Sequence, residues 1–374
     1  MNTATSTREP ATAAERPWKF LRRDYVLLPL ISLCSILVAG IITEVASRVV
    51  FPQIETDSCS VSDPVLGHRY AANCKSIMKS AEGPIVYNRY NACGYRSDQP
   101  CGDRPAGTLR LAFTGSSVAQ GYLVPYEDTV STTLEKNLSD DCHAPVQVEN
   151  MSMVNYQGEV IYAQMAEALR LRPDAVVYLV TPFDFDTQNK RAQPGAVQAP
   201  AHEWRRRLTD LLNESRAVLL AKHFMFKDDP IRHAMLTLDY GDNANYMRVP
   251  FTNAWQDRIT YFSDLIGRMK TTLGNVPLIV AFVPSSSQSA FMAAPAATPA
   301  GVDPYAFGRA LGAAAKDRGI NYVDLSDSFG KIPDAGKLYY PQDGHLTAEG
   351  HPVVARDLAS EIVGNRVIPA CKQS

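Results

Sequence analysis

The sequence predicts an α/β domain with a mainly parallel sheet, placed after a single N-terminal transmembrane helix. Three observations indicate this fold class. A long uncharged apolar run lies near the N-terminus, and short apolar runs alternate with helical patterns from residue 109 onward. The chain has 374 residues, of which 45% are hydrophobic, and can bury the core of one large domain or two small ones. Short strands that alternate with helices are typical of a parallel sheet.

The apolar run near the N-terminus covers Tyr25–Thr43 and contains no charged residue. A helix of that length is roughly 29 Å long, which matches the hydrocarbon core of a bilayer. Basic residues precede it: Arg8, Arg16, Lys19, Arg22 and Arg23. This asymmetry predicts a cytoplasmic tail at residues 1–24, an uncleaved signal anchor in the lipid bilayer at residues 25–47, and an exported remainder. The alternatives are a buried core helix and a cleaved signal peptide, but no clear A-x-A cleavage site follows the run.

The cysteines agree with export. Cys34 lies inside the apolar run, and the other six follow it. An even number of cysteines in an oxidising compartment predicts disulfide bonds. Short loops favour two pairs and leave a third, which gives Cys59–Cys74, Cys93–Cys101 and Cys142–Cys371. A metal site is the competing interpretation, but the sequence has no C-x-x-C motif, and we expect no metal.

Residues 48–105 are predicted to form an irregular segment that contains two of the cysteine pairs, and the α/β pattern follows at residues 106–366. Its strand candidates are short and rich in Val, Leu, Ile or Tyr, as expected of strands covered on both faces. They are Leu109–Thr114, Val146–Asn150, Ala175–Val180, Val276–Val283 and Asn321–Leu325. Helical patterns fill the gaps, and residues 367–374 form a C-terminal tail.

One long insertion separates the third and fourth strand candidates, at about residues 186–250. Its basic stretch, residues 204–207, predicts a solvated amphipathic helix, with contact to substrate as the alternative. The whole chain has a net charge of −2 and a pI near 6.4, which argues against nucleic acid as a partner.

A candidate nucleophile follows the first strand, where the run LRLAFT ends in Gly115 and leads into Ser116 and Ser117. This position lies at the carboxyl edge of a parallel sheet, where open α/β folds bind ligands. Gly115 allows a sharp turn, and the N–H of Ser117 would point out of the first helical turn toward an oxyanion. Taken alone, a serine in such a loop is more often a helix cap than a nucleophile.

Asp343 and His345 supply the groups that a serine nucleophile needs. A serine hydroxyl attacks when an imidazole takes its proton, and a carboxylate fixes the tautomer of that imidazole. The two residues lie in one loop just before the last helical pattern. His351 is a rival base, but its position at the start of that helix favours an ordinary structural role.

Together these residues resemble the SGNH/GDSL hydrolase family, in particular its membrane-anchored exported bacterial members. The first family block, G-D-S-x-x-x-G, corresponds to Gly115–Gly121, with Ser117 at the nucleophile position. The last block, D-x-x-H, corresponds to Asp343–His345 and is one residue shorter here. The N-x-x-G-[FY]-R element of membrane-anchored members is matched by Asn91, Gly94, Tyr95 and Arg96. The resemblance covers about residues 91–364 and implies a flavodoxin-like, three-layer α/β/α fold with a five-stranded, mainly parallel sheet.

The two middle blocks of the family pattern fit poorly. The second supplies an oxyanion glycine after the second strand, where this sequence has Ser152 or Asn155. The third, G-x-N-D, has Phe183 in place of the asparagine, followed by Asp184. Loss of one oxyanion donor costs on the order of 10²–10³ in rate. We therefore expect Ser117, Ser152, Asn155 and Asp184 to form the oxyanion and substrate-binding region, or else a slow or inactive protein.

The resemblance implies ester chemistry without a metal or other cofactor. Ser117 would form an acyl-enzyme, His345 would act as general base and acid, and Asp343 would orient the imidazole. The expected activity is hydrolysis or acyl transfer on an acylated carbohydrate or envelope glycan, at the periplasmic side of a bacterial inner membrane. The alternative is a catalytically weak or inactive scaffold that binds glycan or supports polysaccharide assembly, with envelope biosynthesis proteins as candidate partners.

Overall fold

The computed structural model describes most of the chain beyond the N-terminal tail. The described residues are 21–54, 57–185, 212, 214–228, 230–232, 234–235, 245–333, 335–368 and 371. Most of the predicted cytoplasmic tail, much of the insertion with its basic stretch 204–207, and most of the C-terminal tail lie outside the described residues. Helix α1 (Asp24–Val50) is long and apolar enough to cross a membrane by length and composition.

The segment predicted as irregular contains two antiparallel hairpins. Strands β1 (Ser60–Asp63) and β2 (Gly67–Tyr70) form the first hairpin, and strands β3 (Lys75–Met78) and β4 (Val86–Arg89) form the second. Each strand is only four residues long and mixes polar with apolar side chains, which leaves no periodic signal to detect. The Cys59–Cys74 disulfide links the two hairpins.

The α/β domain is built on one five-stranded parallel sheet. In chain order the strands are β5 (Leu109–Gly115), β6 (Val146–Asn150), β7 (Ala175–Val180), β8 (Leu278–Phe282) and β9 (Asn321–Asp324). Their order across the sheet is β6-β5-β7-β8-β9, and every neighbouring pair is parallel. Counted along the chain this is the order 2-1-3-4-5, which is flavodoxin-like. The fold prediction is confirmed, with small differences at the strand ends.

Helices cover both faces of this sheet. The helices that follow α1 in the chain are α2 (Ser117–Gln120), α3 (Val130–Cys142), α4 (Glu159–Arg170), α5 (Arg216–Phe226), α6 (Asn253–Leu273), α7 (Ser286–Ala293), α8 (Ala306–Asp317), α9 (Ser326–Gly330) and α10 (Gly350–Gly364). One core joins α4, α6 and α8 to one face of the sheet, and a second core joins α3 and α10 to the other. Alternate residues of β7 enter the two cores, Val176 the first and Val177 the second, as the pleat of a strand requires.

All three predicted disulfide pairs are present. The pairs are Cys59–Cys74, Cys93–Cys101 and Cys142–Cys371, and Cys34 is free and exposed. The Cys142–Cys371 bond joins the last residue of α3 to the chain that follows α10, with the two Cα atoms 4.2 Å apart. Because α3 and α10 already pack in one core, the bond fixes an existing contact between the middle and the end of the domain.

Helix α5, from the insertion, contacts α1. The carboxylate of Glu44 in α1 accepts the backbone N–H groups of Arg216 and Ala217 at 3.1 and 3.0 Å, and the hydroxyl of Ser215 at 2.7 Å. First-turn N–H groups of a helix have no partner within the helix, and an acidic group stabilises that end. Glu44 therefore adds acceptors to the N-terminal end of α5, where the Ser215 hydroxyl also accepts the N–H of Val218 at 3.3 Å.

Candidate active site

The turn between β5 and α2 places Ser117 at the carboxyl edge of the sheet. Gly115 has φ of 156°, and a Cβ atom there would come within 2.6 Å of both the Ala119 Cβ and the Leu179 carbonyl oxygen. Only glycine fits between β7 and α2 at this point. Ser116 precedes the helix and is buried, whereas Ser117 is its first residue and is half-buried.

The chain after α2 is held by Arg96. Its guanidinium is buried and donates to the carbonyl oxygens of Gln120 at 2.9 Å, Gly121 at 2.6 Å and Val124 at 2.7 Å. Its backbone N–H donates to the carbonyl of Asn150 at the end of β6. Arg96 therefore fastens the end of α2, and the turn that follows, to the edge of the sheet.

The preceding residues of the same motif shape the turn that delivers Arg96. The side-chain oxygen of Asn91 accepts the N–H groups of Cys93 and Tyr95 at 3.0 and 3.1 Å. Gly94 has φ of 78°, and a Cβ atom there would lie 2.1 Å from the Tyr70 carbonyl oxygen. The motif is therefore a structural support of the nucleophile turn.

Ser117, His345 and Asp343 are joined by hydrogen bonds. The His345 Nε2 lies 2.7 Å from the Ser117 Oγ, although the two residues are 228 positions apart. The His345 Nδ1 lies 2.5 Å from the Asp343 Oδ1, which also accepts the His345 backbone N–H at 3.2 Å. Gly344, at φ 82°, lets the short D-x-H segment fold back on itself. The Tyr122 ring packs on the imidazole, with ring centroids 4.9 Å apart.

The charge state of Asp343 suits a partner of this imidazole. Burial alone would raise the pKa of its carboxyl group, but the hydrogen bond and positive charge of His345 outweigh burial and hold that pKa below the ordinary value of 3.8. The carboxylate is therefore ionised at neutral pH and can accept a hydrogen bond from the Nδ1–H group of His345.

His351, the rival base, has a different role. It is buried, and its Nδ1 accepts the backbone N–H of Val130 at the start of α3, at 3.1 Å. Burial lowers the pKa of its imidazole to about 3. The neutral ring therefore caps a helix inside the core, as its position in the sequence suggested.

Ser116 has its own partner, the buried carboxyl group of Asp184, which also accepts the N–H of Thr181 at 2.6 Å and its hydroxyl at 3.1 Å. Burial raises the pKa of Asp184 to about 6, while its hydrogen bonds act in the opposite direction. The two adjacent serines therefore hydrogen-bond to different groups, Ser117 to an imidazole and Ser116 to a carboxyl group.

A cleft of about 250 Å³ opens beside the serine–histidine pair. Its lining includes Ser117, Asn155, Gln157, Asp184 and His345. Asn155 and Asp184, which the sequence proposes for the oxyanion and substrate-binding region, both line this cleft, and Gln157 is a further lining residue that carries no sequence signal.

Ser152 is not among the described residues that line the cleft, and its prediction as a cleft residue is corrected. Its N–H donates to the side-chain oxygen of Asn150 at 3.1 Å, and its side chain is buried. Of the described residues that follow β6, Asn155, at φ 66°, and Gln157 line the cleft.

A larger groove of about 590 Å³ adjoins the cleft. The two share Phe183, Asp343 and Gly344. The groove is also lined by residues of α5 and of the segment after it, by two hydroxyl side chains and by aromatic side chains: Phe226, Arg232, Met235, Ser286, Ser287, Tyr339 and Tyr340. It offers space for a substrate considerably larger than the reacting ester.

Glu82 also contacts this site and was missed by the sequence analysis. Its carboxylate accepts the backbone N–H of Asp343 at 2.7 Å and that of Gln342 at 3.1 Å. No local signal links it to the loop, because 261 positions separate Glu82 from Asp343. Among the described residues, no group of three or more His, Cys, Asp or Glu side chains is arranged to hold a metal ion.

Comparison with known proteins finds similar folds among solved structures. No protein-family model and no curated protein matches this chain. The lipase/acylhydrolase from Enterococcus faecalis is 11% identical, with 69% of this chain and 96% of that chain covered and a TM-score of 0.38. A Desulfitobacterium hafniense protein assigned to the lipolytic G-D-S-L family is 12% identical, with 68% and 99% covered and a TM-score of 0.36. The acetyl xylan esterase AlAXEase is 13% identical, with 68% and 100% covered and a TM-score of 0.40. Solved structures to which this chain is similar thus include GDSL-type lipases and acylhydrolases, at low sequence identity.

Proposed function

We propose that this protein is a membrane-anchored serine esterase or acyltransferase whose acyl-enzyme forms on Ser117. One observation carries the proposal. The Ser117 Oγ, the His345 ring and the Asp343 carboxylate form an unbroken series of hydrogen bonds, at 2.7 and 2.5 Å, at the carboxyl edge of a parallel sheet. This is the arrangement that activates a serine hydroxyl for attack on a carbonyl carbon.

The reaction has two halves, formation of the acyl-enzyme and its breakdown. The Ser117 Oγ attacks the acyl carbonyl as His345 Nε2 takes its proton, and the protonated imidazole then donates that proton to the departing alcohol oxygen. In the second half, His345 takes a proton from water or from an acceptor hydroxyl, whose oxygen attacks the acyl-enzyme. When the tetrahedral intermediate of this second half breaks down, the bond from the acyl carbon to the Ser117 Oγ is cleaved, and His345 Nε2 returns its proton to that oxygen. In both halves the Asp343 carboxylate accepts a hydrogen bond from the His345 Nδ1–H group and offsets the positive charge of the imidazolium.

The negative charge on the carbonyl oxygen needs donors beside Ser117. The N–H of Ser117 is the first of α2, and first-turn N–H groups have no partner within a helix. Asn155 and Gln157 line the same cleft and carry amide side chains able to donate. We assign the oxyanion site to the Ser117 N–H and to these two amides, with Asp184 at the floor of the cleft.

The adjoining groove favours an acylated carbohydrate as substrate. Aromatic rings, including those of Phe183, Phe226 and Tyr340, combine there with the hydroxyls of Ser286 and Ser287. Rings offer flat apolar faces for sugar C–H groups, and hydroxyls hydrogen-bond to sugar oxygens. A carbohydrate in the groove would present its ester to the cleft across the shared boundary at Asp343 and Gly344.

Helix α1 and the cysteines support the location in this proposal. An apolar helix next to basic residues, followed by three disulfide bonds, fits an anchor in a bacterial inner membrane with the α/β domain in the oxidising periplasm. In this proposal residues 1–24 are the cytoplasmic tail, residues 25–47 span the bilayer, and the substrate is an envelope glycan.

A scaffold without turnover is the second candidate function. Two observations favour it: Phe183 stands where the family pattern has an oxyanion asparagine, and Ser152 is not among the described residues that line the cleft. Such a scaffold would bind a glycan in the same groove and support polysaccharide assembly without forming an acyl-enzyme.

A serine-directed phosphonate distinguishes the two candidates. We expect the full-length protein in detergent to be labelled at Ser117 and to hydrolyse p-nitrophenyl acetate. Ser117→Ala should lose labelling and at least about 10³-fold of kcat, because the nucleophile is removed. The neighbouring Ser116→Ala is the matched control, and it should lose less than about tenfold because its hydroxyl faces Asp184. A folded protein that is not labelled at Ser117 would favour the scaffold.

A further inference from the structure

We infer that Glu82 is a positioning residue that holds the Asp343–His345 loop in the geometry that activates Ser117. This inference rests on the proposed function. Glu82 lies in the turn between β3 and β4, outside the α/β domain. Its side chain is 5% exposed, and its role is supported by contacts with the loop from two directions.

The first contact is a set of hydrogen bonds to the loop backbone. The Glu82 Oε2 accepts the N–H of Asp343 at 2.7 Å and the N–H of Gln342 at 3.1 Å. The Glu82 Oε1 is hydrogen-bonded to Nδ1 of His223, in α5. One buried carboxylate thus connects the loop to the insertion helix.

A carboxylate is the side chain that this position requires. Its two oxygens only accept hydrogen bonds, and the backbone N–H groups of Gln342 and Asp343 only donate them. Fixing the N–H of Asp343 fixes the start of the short D-x-H segment, whose carboxylate must reach the imidazole two residues later. The Glu82 Oε1 also accepts the N–H of Gln342, at 3.3 Å. A glutamine replaces one of the two oxygens with an NH₂ group, so in either orientation of the amide a donor would face a backbone donor.

The second contact is made by the same turn with Tyr340. Gly83 has φ of 76°, and a Cβ atom there would lie 2.9 Å from the Tyr340 hydroxyl. The N–H of Tyr340 donates to the His345 carbonyl at 2.8 Å, and the Tyr340 hydroxyl donates to the Leu123 carbonyl at 3.0 Å. Lys79 closes the turn by donating to the Gly83 carbonyl at 2.8 Å. The turn at residues 79–83 therefore packs on the loop and holds it from outside the α/β domain.

The test is Glu82→Gln in the full-length protein. We expect kcat for p-nitrophenyl acetate to fall about 10- to 100-fold with KM changed less than threefold, because a shift of the loop misaligns His345 without removing a substrate contact. The low-field proton resonance of the His345 Nδ1–H group should shift or broaden as its bond to Asp343 lengthens. Glu135→Gln is the matched control, since the Glu135 carboxylate accepts the Val148 N–H at 2.9 Å and does not contact the loop.

Each outcome decides the inference. Unchanged kcat and an unchanged His345 resonance in Glu82→Gln would overturn it, as would equal losses in Glu135→Gln. If Glu82→Gln does not fold, Glu82→Asp serves instead, because it keeps the charge but is one methylene too short to reach His223 and the loop together. A folded Glu82→Asp with unaltered kcat overturns the inference, and a lower kcat at constant KM supports it. Failure of the proposed function would give a different result, because Ser117 would then be unlabelled in the unaltered protein. The shift of the His345 resonance in Glu82→Gln would still report whether Glu82 positions the loop.

Discussion

At the scale of single residues, Ser116 and Ser117 show how local environment distinguishes neighbouring groups of the same type. The Ser117 hydroxyl is half-buried and hydrogen-bonded to His345. The Ser116 hydroxyl is buried against Asp184, in the position where the family pattern places an aspartate. In this chain, that position therefore holds a serine whose hydroxyl bonds to a carboxyl group on the chain after β7.

Asp184 leads to a prediction about stability and pH. Burial raises its pKa from the ordinary 3.8 to about 6 in the folded protein. The folded state therefore retains a proton that the unfolded state releases, and this contribution to stability is complete below about pH 4 and lost as the pH rises through 6. Relative to Asp184→Asn, which cannot ionise, the unaltered protein should lose at most about 3 kcal/mol of unfolding free energy between pH 3.5 and 7.

Denaturant unfolding in detergent at several pH values measures this difference. Burial also raises the pKa of Glu149, to about 7. This lowers the stability of both proteins by the same amount as the pH rises, so its effect cancels when the two are compared. Unfolding free energies of the two proteins that run parallel from pH 3.5 to 7 would contradict the prediction.

At the scale of elements, the nucleophile helix is too short to hold its own position. Helix α2 has four residues, and Gly121 ends it in a left-handed conformation, at φ 83°. Three backbone carbonyl groups at and after its end accept hydrogen bonds from the Arg96 guanidinium. A planar guanidinium can serve three acceptors at once, which a lysine ammonium on a flexible stem does less well.

We therefore expect Arg96→Lys to reduce both stability and labelling at Ser117. Buried carbonyls left without donors should cost about 2–3 kcal/mol of unfolding free energy, and movement of α2 should slow phosphonate labelling about tenfold or more. Arg89→Lys is the control, because Arg89 is half-exposed and pairs with the carboxylate of Asp98 at the surface. Equal stability and equal labelling rates in the two variants would refute this role of Arg96.

The sequence predicts elements well where burial is uniform. Strands such as β7 and β8 are buried on both faces, so an unbroken apolar run marks them clearly. The hairpins at residues 60–89 are not predicted, because their short strands are half polar and give no periodic pattern. The disulfide Cys59–Cys74 holds the two hairpins together, and hydrophobic periodicity does not reveal such a link.

In the candidate site, residues that belong to local sequence motifs can be predicted, and residues outside such motifs cannot. Ser117, Asp343 and His345 are identifiable because local motifs surround them, and topology then brings them to one sheet edge. Glu82 belongs to no motif and acts only through contacts across 261 positions. Ser152 was misplaced because the pattern fixes a position along the chain but not which of the residues after β6 line the cleft.

At the scale of the whole molecule, covalent and helical connections join parts that are far apart in the chain. The Cys142–Cys371 bond closes a sequence separation of 229 residues, for which the chain-entropy model gives about 5 kcal/mol. Helix α5 connects α1, through Glu44, with Glu82 beside the loop, through His223. The apolar helix α1 and the candidate site are therefore parts of one connected structure.

Thiol accessibility tests the proposed topology. If the domain is exported, the full-length protein denatured without reductant should take up one maleimide, at Cys34, and seven after reduction, because all other cysteines are paired. Mass spectrometry of the peptides locates the label. Free thiols at Cys142 and Cys371 in protein taken directly from cells would place the domain in a reducing compartment instead.

The distance along the chain between Ser117 and His345 also has a consequence in time. The nucleophile is synthesised 228 residues before its base, and ribosomes add about 5–20 residues per second, so the two are separated by about 10–45 s of translation. The loop that carries His345 precedes α10, whose packing on α3 joins the last part of the chain to the first half of the domain. In the proposed topology and function, a partly translocated chain would therefore carry a serine without its base. The nascent protein would not react with esters until the end of the domain had crossed the membrane.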